Sequence, residues 1–163
     1  MAQLINDHQR ISQDPWQPAD DNSPVTDYQL ISLGHWQEQS AELAAQAAAG
    51  RLGLFLDSHE TADLIGDDCR HFALIALNFP KFSDGRAYST ARLLRERHGY
   101  KGELRAAGDV LIDQLFFMKR CGFDSFALRD DQDLSAALAA FSTFSVCYQG
   151  DVQDPRLLFR RRA

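Results

Sequence analysis

A chain of 163 residues and 18.3 kDa has room for one domain of ordinary size, and 45% apolar with 25% charged residues is a globular composition, not a disordered, collagenous or coiled-coil one. At this length folding buries roughly two thirds of the unfolded surface, so a core needs no disulfide or metal staple. A formal net charge of -6 and a pI near 5.2 argue against non-specific nucleic-acid binding.

Residues 1–27 are polar and turn-rich, with Pro15, Pro18 and Pro24 breaking up short segments. They read as a small hairpin and an irregular arm ahead of a single α/β domain over residues 28–163. Tyr28 to Ile31 is strand-like, and Trp36 to Ala49 is an alanine-rich helix stopped by Gly50. Leu52-Gly53-Leu54-Phe55-Leu56 is a continuous apolar run of the kind that suits a strand buried on both faces in a parallel sheet. Asp57 opens a brief helix through Ile65, and Phe72 to Leu77 is the second apolar run.

Beyond the loop 78–86, Ala87, Ala91 and Leu94 recur at helical spacing, with Arg92, Arg95, Glu96 and Arg97 on the wet face and Gly99 at the end. Glu103 to Ala107 is a strand, Asp109 caps the next helix, and Leu111, Leu115 and Met118 mark that helix up to Gly122. Ser125 to Leu128 is a further strand. Asp130 or Asp131 caps a helix carrying Leu134, Leu138 and Phe141, and Phe144 to Tyr148 is a last strand before the basic tail Arg160 to Arg162. Strand and helix thus alternate about four times from Leu52 to Phe141, the pattern of βαβ crossovers and a mainly parallel sheet. An open half-barrel, a dimer closing a barrel and a small doubly wound sheet all satisfy it.

Parallel α/β folds bind ligands beyond the carboxyl ends of their strands. In that position the segment Asn78 to Arg86 offers a helix start with Lys81, Ser83, Asp84, Gly85 and Arg86, an anion-binding candidate. The plainer alternative makes Asp84 a cap paired with Arg86, and Phe79 and Phe82 core residues. Alternation puts Glu103 and Arg105 on one strand face, where they either pair or face a cavity; with Asp109 they are the catalytic candidates. Asp109 and Asp113 share one face of a helical turn, but capping explains Asp109 more cheaply than metal binding. His59-Glu60-Thr61-Ala62-Asp63 lacks the second histidine of a zinc motif, and Cys69 with His71 does not supply it. Metal and cofactor are therefore expected to be none, there being no nucleotide, flavin, iron-sulfur or haem signature. Cys69, Cys121 and Cys147 are far apart with no C-x-x-C, which fits reduced thiols; Met1 to His8 is no export leader, and no apolar run is long enough to span a membrane. The expectation is a cytoplasmic protein.

The run Phe79 to Ser89, then Ala91-Arg92-Leu93-Leu94-Arg95, Gly102 to Asp109 and Cys121-Gly122-Phe123-Asp124, resembles an uncharacterised bacterial family catalogued as domain of unknown function 934, from about Gly34 to Gln149. Members are typically encoded beside the sulfite reductase haemoprotein and phosphoadenylyl-sulfate reductase, and are often labelled oxidoreductases by that association. The resemblance implies an accessory role in assimilatory sulfate and sulfite reduction, serving cysteine synthesis, with no known catalytic residue. Three readings follow: a non-catalytic protein that binds a reductase or an anionic sulfur intermediate, a small enzyme acting on a sulfate- or phosphate-bearing substrate, and a purely structural protein. The sheet edges of a half-barrel add a homodimer to the expected partners.

Overall fold

The computed structural model describes residues 3–20, 23–142, 150–152 and 154–156. Among these residues seven strands, β1 Gln3–Ile5, β2 Gln17–Pro18, β3 Gln29–Ser32, β4 Leu52–Leu56, β5 Leu74–Phe79, β6 Glu103–Val110 and β7 Ser125–Leu128, form one sheet. Their order across it is β1-β7-β6-β5-β4-β3-β2. Every pair from β2 to β7 is parallel and follows chain order, whereas β1 lies antiparallel along the outer edge of β7.

The connections carry α1 Leu33–Ala48, α2 Ala62–Ile65, α3 Arg86–Glu96, α4 Leu115–Arg120 and α5 Leu134–Ala140, with 3-10 turns Gly66–His71 and Ile112–Gln114. Counting β3 with α1 there are five βα units, one more than the alternation from Leu52 alone indicates. Sequential right-handed crossovers return each helix to the same side of the sheet. The packing agrees: Ile31, Leu54, Leu77 and Phe126 share one core with Trp36, Ala91, Met118 and Ala137. The sheet therefore curls as a half-barrel with helices on its convex face, and the doubly wound alternative falls.

Local chemistry explains the element ends. Ser32 caps α1 by accepting the His35 N–H, and Gly50 at φ +70° ends it as expected. Asp57 does not start a helix: its N–H donates to the Glu60 carboxylate and its own carboxylate accepts the Ser58 N–H, which makes a turn and delays α2 to Ala62. Asp133, not Asp130 or Asp131, caps α5 through the Ala136 N–H. Asp109 caps no helix, because β6 runs on to Val110 through a bulge centred on Gly108, which has φ +92°. The segment Phe144 to Tyr148, Cys147 and the tail Arg160 to Arg162 lie outside the described residues.

Arg95 is the clearest departure from its expected wet face. Its side chain is only 13% exposed. The guanidinium donates to the carbonyls of Tyr100, Gly102 and Gly122 and pairs with Asp124, so it ties the end of α3 to the starts of β6 and β7. Periodicity places such a residue outside the core, but the flanking loops fold back over it.

The expected N-terminal hairpin is present in β1, with Ile5 bridged to Arg10. The arm then crosses the concave face: Trp16 lies over Gly53, whose missing side chain leaves the room, and packs edge-on against Tyr28 at 5.5 Å.

Candidate functional site at the mouth of the half-barrel

Strand register builds the site. Ser32, Phe55, Ala76, Arg105 and Ser125 are direct neighbours across five strands, forming one row on the concave face. Side chains two residues on, toward the carboxyl ends, share that face. Asp57 and Asn78 stand two residues beyond Phe55 and Ala76, and Asp109 and Arg129 four beyond Arg105 and Ser125, so the ends of four consecutive strands bring these side chains to the mouth. It is the position at which parallel barrels carry their chemistry.

The mouth is a network of hydrogen bonds. Asn78 Nδ2 donates to Asp57 Oδ1 at 2.9 Å, and His59 Nδ1 lies 3.4 Å from Asp57 Oδ2. The Asn78 amide and the Ser58 N–H hold the Asp57 carboxyl below its usual range. Asp109 Oδ2 accepts the Phe82 N–H at 2.8 Å, and its other oxygen accepts from Arg129 at 2.8 Å. Arg129 also grips Asp131 through two bonds of 2.6 and 2.7 Å, which brings Asp131 down to about 2 and raises Arg129. The bulge at Gly108 is what aims Asp109: a side chain there would meet the Phe79 carbonyl oxygen and the Asn78 amide oxygen.

The anion candidates sit on the same rim, in the loop from β5 to α3. Arg86 is held by Asp84 through bonds of 3.0 and 2.6 Å and by Ser58 Oγ at 2.8 Å. Asp84 also accepts the Arg86 N–H and is pushed well below the carboxylate range. The plain reading of this pair is the one observed. The cap residue itself is Gly85, with no side-chain bond to the helix, and Ser83 is exposed. Among the described residues the Lys81 ammonium has no hydrogen-bonded or ionic partner, although the Lys81 carbonyl accepts the Asp84 N–H. Phe79 fills core as expected, but Phe82 does not, for the residue is 59% exposed. Both ends of that residue are fixed nonetheless, because Gln114 Nε2 donates to the Phe82 carbonyl at 2.7 Å while its N–H goes to Asp109.

Glu103 and Arg105 pair, and Arg105 also faces a cavity. Arg105 is 7% exposed, and its guanidinium binds Glu103 at 3.1 Å and Asp14 at 2.6 and 3.2 Å, with Ser125 Oγ against Nε. Asp14, 91 residues away on the arm, is a partner that spacing does not reveal. The cavity against Arg105 has a volume of about 370 Å³ and is walled by the concave face on one side and by Pro18 and Ala19 of the arm on the other.

Asp113 lies in the 3-10 turn Ile112–Gln114 while Asp109 is in a strand, so the two do not share a helical turn. Cys69 is buried in the core, apart from the exposed His59. Among the described residues no group of three His, Cys, Asp or Glu side chains could hold a metal. Burial pushes the Cys121 thiol up to about 11 and raises Cys69 as well, which removes thiolate character at neutral pH. Asp57, Asn78 and Arg129 were legible as mouth residues by counting in twos from each apolar run; Asp14 had no such signal.

A family model described as bacterial protein of unknown function, DUF934, matches residues 53–159. It begins later than the resemblance from Gly34 and ends beyond Gln149. No curated protein and no solved structure matches the chain. Among the described residues no helix is long and apolar enough to cross a membrane.

Proposed function

We propose that this chain, which belongs to the bacterial family of unknown function DUF934, is a non-catalytic accessory protein of assimilatory sulfate and sulfite reduction that docks on a reductase through the rim of its half-barrel. The observation that carries the docking is Phe82. A large apolar residue 59% exposed, on a backbone pinned from both sides, forgoes the burial that Phe72, Phe79, Phe123 and Phe126 achieve. Fixed exposed aromatics of this kind supply much of the energy of protein interfaces at little entropic cost. Lys81 beside it adds a charge that, among the described residues, no carboxylate neutralises. The sulfur pathway rests on the resemblance set out above, and the phenylalanine speaks only for docking.

The same geometry favours a protein partner over a small anion at the rim. Arg86 and Arg129 already bind carboxylates through paired bonds, so sulfite or sulfate would have to displace Asp84, Asp109 or Asp131. Calorimetric titration against the sulfite reductase haemoprotein and against phosphoadenylyl-sulfate reductase tests the reading. Association in the micromolar range is expected with one of them, and covering Phe82 contributes about 1–2 kcal/mol, so Phe82→Ala weakens it about tenfold. No association of the wild type with either reductase refutes the proposal.

A second reading, an enzyme acting on a sulfate- or phosphate-bearing substrate, is favoured by the convergence of Asp57, Asn78, Asp109 and Arg129 at the catalytic end of a parallel sheet. Sulfur assimilation in cells carrying Glu103→Gln with Asp109→Asn separates the two. Growth on sulfate that survives both substitutions in a folded protein rules out catalysis by these carboxylates.

A further inference from the structure

The concave cavity poses a separate question, independent of how the rim is used. Its volume of about 370 Å³ is that of a small-molecule site. Leu30, Phe55, Ala76, Ala107 and Ala127 give it apolar walls, and Arg105 supplies a cation, itself almost wholly buried. A buried guanidinium next to open apolar space is expensive unless something with matching charge sits on it. Asp14 does so now. Its carboxylate takes both terminal nitrogens of Arg105, the two-pronged geometry that a guanidinium offers to carboxylates.

Asp14 is also replaceable. It comes from the arm, not from the sheet, and its side chain keeps 28% of its exposure. When it leaves Arg105 it still has the Trp16 N–H at 3.3 Å and gains water. Exchange for another carboxylate conserves charge, since Glu103 stays on the guanidinium in either state. We propose that the cavity binds a small monocarboxylate with an apolar body, the ligand's carboxylate replacing Asp14 on Arg105 while its hydrocarbon part lies against Phe55 and the alanines. Sulfite or sulfate is a poor occupant, because oxygens on every side would be stranded against those walls.

The test uses phenylacetate, 4-phenylbutyrate and octanoate as probes, with octanamide, octanol and sulfite as controls. Binding is read by the emission of Trp16 and Trp36 and by thermal shift of the full chain. Wild type should bind at least one of the carboxylates and none of the controls comparably. Asp14→Asn weakens the internal competitor, so the same carboxylate should bind about tenfold tighter, the scale of one charge-assisted hydrogen bond. Arg105→Lys should lose at least about tenfold, because an ammonium cannot make the two-pronged contact. Should the Arg105 variant fail to fold, the Asp14→Asn comparison still decides. Three results overturn the proposal: no carboxylate binds, octanamide binds as well as octanoate, or Asp14→Asn leaves affinity unchanged. A wild-type dimer that Phe55→Lys converts to a monomer in light scattering would also overturn it, by assigning the concave face to a second copy.

Discussion

Replacing Gly108 by alanine tests the account of the mouth at the point where backbone and site meet. Gly108 has φ +92°, a conformation that costs an L-residue about 1–2 kcal/mol. An added Cβ would lie 2.4 Å from the Phe79 carbonyl oxygen and 2.6 Å from Asn78 Oδ1. The amide can turn away, at the loss of its bond to Asp57, worth about 0.5–1.5 kcal/mol. The carbonyl belongs to the neighbouring strand, so β5 and β6 must part at the pair Phe79 and Gly108. With the parting of the strands added to these terms, Gly108→Ala should lower stability by about 2–4 kcal/mol, a large share of the 5–15 kcal/mol typical of a domain. Urea unfolding followed by far-UV circular dichroism measures it, with Gly34→Ala as the control. Gly34 lies in the first turn of α1 with nothing within 4 Å of its would-be Cβ, so that change should be neutral or stabilise by up to about 0.5 kcal/mol. A loss below about 1 kcal/mol at Gly108, or equal losses at both glycines, would refute the claim that this bulge is sterically required.

Other outcomes follow from the same structure. Arg95→Met removes bonds to three carbonyls and to Asp124 from a largely buried position, and should cost about 2–4 kcal/mol by urea unfolding, with hydrogen exchange accelerated first in residues 100–104 and 122–125. Asp84 and Asp131 have folded-state pKa values below the ordinary 3.8, so their contribution to stability is present above that pH and is lost as pH falls through the folded values, about 2 for Asp131. Carboxyl carbon titration by NMR should therefore place both midpoints below 3.8. Cys121 has the opposite sign: its folded pKa of about 11 exceeds the ordinary 9.0, so stability is intact below 9.0 and declines as pH rises toward 11. Peptide mapping after alkylation at neutral pH should find Cys69 and Cys121 unlabelled in the native protein and labelled in urea.

Much of the fold was legible because burial leaves a plain record in composition. Leu52–Leu56 and Ser125–Leu128 are strands with the bounds that their sequence indicates, since a strand covered on both faces cannot hide an apolar run. Asp109 misled for a local reason. Glycine, aspartate and then an apolar helix is what a capped helix looks like, and only the partner strand reveals that Gly108 is a bulge with the ladder continuing beyond it. Arg95 misled for a non-local one, because the carbonyls it serves come from turns whose path no helical period encodes. The mouth was half legible. Lys81, Asp84 and Arg86 announced a rim, but the bonds from Asp109 to Phe82 and Arg129 depend on three strands lying in register. Asp14 with Arg105 is the extreme case, a contact across 91 residues that becomes visible only when the arm is laid on the concave face.

The short antiparallel strand β1 has a consequence for assembly. Residues 3–5 occupy the outer edge of β7 in the sense opposite to every other strand, so at that side the ladder ends in a direction that a further parallel unit cannot extend. At the far side β2 is two residues long and includes Pro18, which offers no N–H to a newcomer. The molecule is therefore terminated at both rims by different means, one by reversal and one by brevity. A proteolytic cut that released β1 would uncover the unsatisfied amides and carbonyls of β7, and the severed product should associate edge to edge more readily than the intact chain.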